Sequence, residues 1–312
     1  MKVVALAGGV GGARLADGLA QALPAGDLAV IVNTGDDFEH LGLHISPDLD
    51  TVCYTLAGLA NSITGWGRAS ETWQALETLS TLGGPSWFRL GDRDLGLHLE
   101  RTRRLRRGDT LSAITQGFCR QWGVSSLILP MSDDPVPTWV STTEGELPFQ
   151  EYFVHRQCHP QVTGFRFEGV QQARPAPGVL DALHAATMIV ICPSNPWVSI
   201  DPILAVPGIL PAIQSAAAPV IAVSPIIAGQ AVKGPAAKMY AELGIEPSAR
   251  SVALHYGDLL SGIVIDIQDR NLAPGLATGR LEVYITDSIM KSPGDRLRLA
   301  REVIDLGVRI LG

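Results

Sequence analysis

Short runs of aliphatic and β-branched residues alternate along the chain with stretches of helical period. Residues 2–7 (KVVALA) are apolar at every position after the lysine, the pattern of a strand buried on both faces. Residues 13–22 follow with Leu15 and Leu19 on one helical face. Residues 28–32 (LAVIV) form a second buried run. A strand, a glycine-rich loop, a helix and a second strand in that order predict a parallel sheet with a right-handed crossover. Further buried strands are expected at 126–129, 188–192, 219–223, 262–266 and 282–286, and the chain closes with a helix near 293–311. Each of the first four is followed by a cluster of Pro, Ser, Asn or Asp, and the last by Asp287-Ser288.

The middle of the chain has a different rhythm. Residues 48–60, 71–82, 94–107 and 110–121 carry helical periodicity with little strand signal between them. This reads as a mainly helical insertion at about 50–122 within a single α/β domain covering 1–312. Residues 138–170 are irregular, with strand-like pieces at 138–142 and 161–167. The expected architecture is therefore a Rossmann-like parallel sheet with helices on both faces. In such sheets ligands sit beyond the carboxyl ends of the strands, so the residues just after each strand are the first candidates for chemistry.

Composition narrows the function. Apolar residues make up 46% and charged residues 18%, which allows a sizeable core and excludes intrinsic disorder. A net charge of −7, with no basic run longer than residues 103–107, argues against nucleic-acid binding. No apolar stretch approaches the length of a membrane span, and the apolar start is too short for a signal peptide. The cysteines Cys53, Cys119, Cys158 and Cys192 form no CxxC pair, so neither a zinc site nor a disulfide framework is suggested. A reduced, cytoplasmic, soluble protein is expected.

Four groups of residues carry candidate chemistry. Gly8-Gly9-Val10-Gly11-Gly12-Ala13 opens the first helix, where small residues let backbone N–H groups approach a phosphate beside the positive end of the helix dipole. Gly9, Gly11 and Gly12 are the candidates. The pattern is neither a dinucleotide fingerprint, because Arg14 stands where the third glycine belongs, nor a Walker A loop. Carboxylates gather after the strands: Asp36-Asp37, Asp133-Asp134, and Asp48 and Asp50 in Ile45-Ser46-Pro47-Asp48-Leu49-Asp50-Thr51. Asp48 is placed to cap a helix. Hard oxygen ligands near a phosphate suit Mg²⁺. Trp87-Phe88-Arg89-Leu90-Gly91-Asp92-Arg93-Asp94, with Trp66 and Trp73 nearby, mixes planar groups with arginines able to flank a fused ring or grip a phosphate, and Asp92 or Asp94 is placed to cap the following helix. Cys192-Pro193-Ser194-Asn195-Pro196, Ser224-Pro225-Ile226-Ile227 and Lys233-Gly234-Pro235 follow later strands and suit a nucleotide, with Ser194, Asn195, Ser224 and Lys233 as its contacts.

Taken in order, Gly8 to Arg14, Val32-Asn33-Thr34-Gly35-Asp36-Asp37, the Ile45 to Thr51 segment, the Trp87 to Asp94 segment, Pro130-Met131-Ser132-Asp133-Asp134 and the Ser224 and Lys233 loops resemble the 2-phospho-L-lactate transferases of coenzyme F420 biosynthesis, essentially end to end. The resemblance implies transfer of a phosphate-bearing three-carbon group from a guanosine-diphosphate-activated donor to the terminal ribityl hydroxyl of the deazaflavin Fo. GMP leaves and Mg²⁺ is required. The three-carbon group is phospholactyl or its enolpyruvyl counterpart. It also implies that Asp50 and Arg89 contact Fo, that the loops at 193–195 and 224–227 serve the guanosine nucleotide, and that the protein is a homodimer. Asp50 is the candidate catalytic residue, as a proton acceptor, an orienting group or a metal ligand. Trp66, Trp73, Trp87 and Phe88 are candidates for the deazaflavin wall.

Two other readings compete. A nucleotide-sugar-binding regulator resembling the gluconeogenesis-factor-like proteins would share the glycine loop and the Asn-Thr-Gly-Asp-Asp segment but lack the acceptor; the aromatic stretch with Arg89 favours the transferase. An NAD-dependent dehydrogenase would need the missing third glycine and an acid to hold a ribose.

Overall fold

The computed structural model describes residues 1–277 and 280–312. Seven strands form one parallel sheet: β1 (Val3–Ala7), β2 (Leu28–Val32), β3 (Leu127–Pro130), β4 (Met188–Ile191), β5 (Val220–Val223), β6 (Gly262–Asp266) and β7 (Glu282–Thr286). Their spatial order is β7-β6-β5-β4-β1-β2-β3. The order reverses between β1 and β4, and at such a switch point the loops leaving neighbouring strands diverge and open a crevice. β2, β6, β7 and the C-terminal helix Pro293–Leu311 fall on their expected residues; β1, β4 and β5 are one residue shorter at one end, and β3 is shifted by one residue.

The alternation along each strand builds two cores. Val4, Leu6, Ile31, Leu129, Ile189 and Ile263 face one side, against the helices that carry Val179, Ile209, Met239 and Val252. Val3, Ala5, Val30, Met188 and Val190 face the other, against Leu15 and Leu19 of α1 (Gly9–Ala22) and Leu299, Val303 and Leu306 of the C-terminal helix. Each fully buried aliphatic side chain is worth about 1.5–3 kcal/mol, so the two-sided burial anchors the sheet that presents the loops.

Helix α1 begins at Gly9, four residues before the expected start, so the glycine segment is its first turn. Between β2 and β3 run α2 (Pro47–Leu56), α3 (Gln74–Thr81), α4 (Asp92–Leu105) and α5 (Leu111–Gln121). Leu49 and Val52 of α2 and Leu111 of α5 enter the same core as α1, whereas α3 buries no residue. The two ends of the helical stretch are thus ordinary sheet-covering helices, and its middle stands off the sheet. A short hairpin, Phe38–His40 with Leu43–Ile45, precedes α2. Thr138–Thr142 pairs antiparallel with both Gly145–Pro148 and Val162–Phe167, giving a small three-stranded sheet where two strand pieces were expected.

The helix caps correct the expected assignments. Asp92 receives the backbone N–H groups of Gln74 and Ala75 at 3.1 and 3.0 Å and so caps α3. Glu71 receives those of Arg93 and Asp94, each at 2.9 Å, and caps α4. Each acid satisfies the orphan donors of the other segment's helix, which ties the two helices together. Among the described residues no single helix is long and apolar enough to cross a membrane.

Candidate active site

The loops after β1 and β4 meet at the switch point. Ser194 Oγ accepts from the Gly8 N–H at 3.1 Å and donates to the Gly8 carbonyl at 2.8 Å. A Cβ on Gly11 would lie 2.2 Å from the Pro193 carbonyl oxygen, and one on Gly12 2.6 Å from Ser194 Oγ. Gly11 and Gly12 are therefore required by the closeness of the two loops. Gly9 has φ +61°, a conformation glycine adopts freely, and its N–H donates to Asp48 Oδ1 at 2.6 Å. A carboxylate of this chain thus stands at the N-terminus of α1, where a phosphate was expected. Asp48 makes no bond to its own helix end, so the expected capping role is corrected: it bridges α2 to α1.

Asn33, at the end of β2, is the hub that the sequence reading left without a role. Its amide nitrogen lies 3.1 Å from Asp36 Oδ1, 2.9 Å from Asp48 Oδ2 and 3.0 Å from the Val198 carbonyl, and its oxygen accepts from the Gly35 N–H at 2.8 Å. Burial, with Asp48 and Asp37 close by, pushes Asp36 well above the usual carboxylate range. Burial raises Asp48 to about 6, against the bonds from Asn33 and Gly9 that favour its charged form. Asp37 Oδ2 accepts from Ser46 Oγ at 2.7 Å and lies 3.1 Å from His44 Nε2, while its Oδ1 is buried without a partner in the protein. Asp36, Asp37 and Asp48 are hard oxygen donors, and the unpartnered oxygen suits a divalent cation held by one or two carboxylates, water and substrate phosphate. No group of three or more His, Cys, Asp or Glu converges as a preformed metal cage among the described residues.

A cavity of about 460 Å³ opens beyond β2 and β3, between the loops 34–39, 132–139 and 148–150. Asp133 and Asp134 sit on its rim with their own structural partners: Asp133 accepts the Ser112 N–H and hydroxyl at 2.7 and 2.8 Å, and Asp134 accepts the Arg174 N–H at 2.9 Å.

Asp50 lies behind this layer. Arg101 Nη1 donates to its Oδ2 at 3.0 Å and Nη2 to its Oδ1, and His98 Nδ1 is 3.7 Å from Oδ2. Asp94 extends the network, accepting from the Tyr54 hydroxyl at 2.6 Å with His98 Nε2 at 3.5 Å. Burial raises Asp50, with Arg101 and His98 opposing it. Burial acts the same way on Asp94, but His98 and the Tyr54 hydroxyl prevail and its pKa is lowered.

The remaining candidates do not line this cavity. Arg89 is exposed and lies over the Trp73 ring, 4.5 Å from its centroid. Trp87 and Phe88 pack with Phe38 and His40 of the hairpin, and Trp87 stacks on His155 at 5.0 Å. Trp66 is 48% exposed. Lys233 Nζ donates to the Thr64 carbonyl at 2.6 Å, beside Gly65 and Val10, so the β5 side, the segment before α3 and the start of α1 meet there. Partial burial and then Arg14 lower its pKa. Asn195 Oδ1 accepts from the Trp197 N–H at 3.1 Å, and Ser224 Oγ bonds the Ile226 N–H and carbonyl at 3.2 and 2.8 Å. Asn195 and Ser224 thus shape their own loops, whereas Ser194 ties its loop to Gly8 of the loop after β1.

The family model described as 2-phospho-L-lactate transferase CofD matches residues 3–289. The chain belongs to the CofD family of transferases. Relatives extend the CofD match to both ends of the chain. It is 44% identical to a phosphoenolpyruvate transferase of Streptomyces griseus, covering 99% of each chain, and 45% identical to one of Kitasatospora aureofaciens over 92% of this chain and 93% of that one. A Mycobacterium protein of the same name is 37% identical over the whole chain and 99% of its own length. In fold, the CofD-family protein is similar to a solved member of the upf0052 family from Bacillus halodurans, with a TM-score of 0.65 at 15% identity over 97% of this chain and 98% of that one.

Proposed function

We propose that this CofD-family transferase moves a phosphoenolpyruvyl group, or its 2-phospholactyl counterpart, from a guanosine-diphosphate-activated donor to the terminal hydroxyl of Fo. The observation that carries this reading is the end-to-end identity of 44% with a protein named phosphoenolpyruvate transferase. The names of the relatives put the enolpyruvyl donor first. In the reaction the acceptor oxygen bonds to the phosphorus bearing the three-carbon group, the bridging P–O bond breaks, and GMP leaves with that electron pair. The products are dehydro-F420-0, or F420-0 from the lactyl donor, and GMP.

Such a displacement needs positioning and neutralisation of charge spread over phosphoryl oxygens. The chain offers backbone N–H groups at the start of α1 and cations at Lys233 and Arg14 on the same side. Asp50 and Arg89 are proposed to meet Fo, with Arg101 fixing the Asp50 carboxylate. Mg²⁺ belongs to the proposal: Asp37 is proposed to hold it, with Asp36 and Asp48, and it would supply neutralisation of the diphosphate. Asp50 enters the metal site only by releasing Arg101. The protein is proposed to act as a cytoplasmic homodimer.

The test is incubation with Fo, Mg²⁺ and each guanylated donor in turn (enolpyruvyl, phospholactyl, phosphoglyceryl), with products identified by mass. Joint appearance of GMP and the dehydro product is expected from the enolpyruvyl donor. Absence of an Fo adduct with every donor would overturn the reading.

A further inference from the structure

Two of the four cysteines, 66 residues apart in sequence, meet inside the protein. Cys53 lies on α2 and Cys119 on α5, and their Sγ atoms are 3.8 Å apart. The two residues are 4% and 5% exposed and belong to the same core as α1 and the C-terminal helix. Cys158 and Cys192 stand without a second thiol in contact among the described residues. The Cys158 thiol lies 3.9 Å from the Phe153 carbonyl, and Cys192 is buried alone. The sequence holds no CxxC pair, so it is the packing of α2 beside α5 that makes one dithiol out of four scattered cysteines.

The contact is close to a bond. Disulfide sulfurs stand about 2.05 Å apart, so the pair has to close by roughly 1.7 Å, a displacement that rotation about two Cα–Cβ bonds can share. The two thiols are not equivalent. Cys53 shares its S–H toward Cys119, and this bond, with Arg120 nearby, lowers the Cys119 pKa; the same bond and then burial hold Cys53 well above its usual value. Cys119 therefore ionises first and Cys53 stands beside it as the resolving thiol, the arrangement of a redox-active pair. The chain between them carries α3 and α4, the part of the helical stretch that stands off the sheet, and Cys53 lies one turn beyond Asp50. A bond at this place ties off the neck of that stretch.

We propose that Cys53 and Cys119 form a reversible disulfide that staples α2 to α5 when the folded protein meets a hydroperoxide. The Cys119 thiolate attacks a peroxide oxygen, the O–O bond breaks, and the remaining oxygen leaves with the electron pair as hydroxide or alkoxide. This gives a sulfenic acid at Cys119. The Cys53 sulfur attacks the Cys119 sulfur, the S–O bond breaks, and the hydroxyl leaves as water with the Cys53 proton. The two sulfurs are oxidised and the peroxide is reduced. A small thiol restores both cysteines by exchange. None of these steps depends on the transfer reaction proposed above.

The experiment treats the full-length, folded Cys158→Ser protein with hydrogen peroxide and weighs it by mass spectrometry. A loss of about 2 Da is expected, the two thiol hydrogens, and dithiothreitol is expected to restore them. Digestion in acid is expected to yield one peptide pair joined through Cys53 and Cys119. The oxidised protein is expected to melt cooperatively about 5 °C above the reduced one, because the bond closes a long loop of the unfolded chain. Adding Cys53→Ala is expected to stop the reaction at the Cys119 sulfenic acid, a gain of about 16 Da that dimedone traps. Should that variant not fold, the peptide map of the Cys158→Ser protein decides alone. An unchanged mass, a sulfenic acid at Cys119 with Cys53 still free, a crosslink through Cys192, or a disulfide without a raised cooperative melt would overturn the proposal.

Discussion

Arg101 and Asp50 form a bidentate ion pair with side chains only 2% and 8% exposed, joining α4 to α2 across 51 residues of sequence. Removing one partner from such a pair leaves a buried charge uncompensated and costs about 3–5 kcal/mol. Arg101→Met and Asp50→Ala are each expected to lose that much in urea unfolding. The double variant Asp50→Leu/Arg101→Met, with both charges gone, is expected to recover a large part of it. Strictly additive losses in the double variant would show that the pair is not energetically coupled. Loss of transfer in Asp50→Ala is informative only where the remaining folded fraction is measured alongside.

The stability of this fold has a pH slope that Asp48 contributes. Its carboxyl titrates at about 6 in the folded chain and near about 3.9 when unfolded. Between those values the folded state binds the proton more tightly. Stability is therefore expected to fall as pH rises from about 4 to about 6 and to gain no further slope from this group above that. The contribution is about 2–3 kcal/mol. Asp36, also raised, adds a slope of the same sign. Other carboxylates with lowered values, such as Asp94, act in the opposite direction, so the quantity to measure is the difference between wild type and Asp48→Asn in urea unfolding from pH 4 to 8. An unchanged slope in Asp48→Asn would remove the residue from the account.

The sheet was legible because its signal is local. LAVIV at Leu28–Val32 and GIVID at Gly262–Asp266 are buried along their whole length, and a doubly covered strand has no other reading. The site was legible only as a set of strand ends. Asn33 and Asp48 are 15 residues apart, and Gly9 and Asp48 are 39 apart; nothing in the spacing shows that these groups touch. The same holds for the exchanged caps, where a local rule assigned Asp92 or Asp94 to the following helix and gave Glu71 no role. Ser194, Asn195 and Ser224 were legible as loop residues, but the local backbone bonds of Asn195 and Ser224 depend on φ and ψ that the sequence does not display, and the bonds of Ser194 to Gly8 cross 186 residues. The one local hint missed was Asn33 itself, a polar residue closing an apolar strand in front of two aspartates.

Asp37 offers a test of the cation that does not depend on turnover. Its Oδ1 is buried without a partner in the protein, its charge acts on Asp36 and Asp48, and a cation bound only to the folded state raises stability by mass action. Wild-type melting temperature is expected to rise with Mg²⁺ at millimolar concentration. Asp37→Asn is expected to abolish the rise, and Asp133→Asn, whose carboxylate is occupied by Ser112, to preserve it. A melting temperature indifferent to Mg²⁺ would separate these carboxylates from the metal.

Glycines at two helical positions separate packing from ligand binding. Gly11 faces the Pro193 carbonyl so closely that a methyl group would sit 2.2 Å from it, and the opposing atom is backbone. Gly11→Ala must therefore force the β1 and β4 loops apart, and a loss of about 1–3 kcal/mol or more is expected in urea unfolding. Gly96 lies inside α4, where a methyl group would meet nothing within 4 Å. There alanine lowers the entropy of the unfolded chain and favours the helix, so Gly96→Ala is expected to gain about 0.5–1 kcal/mol. If the glycine segment existed only to admit a phosphate, Gly11→Ala would keep wild-type stability and lose nucleotide affinity alone. The sign and size of the stability change thus decide which pressure placed glycine at the switch point.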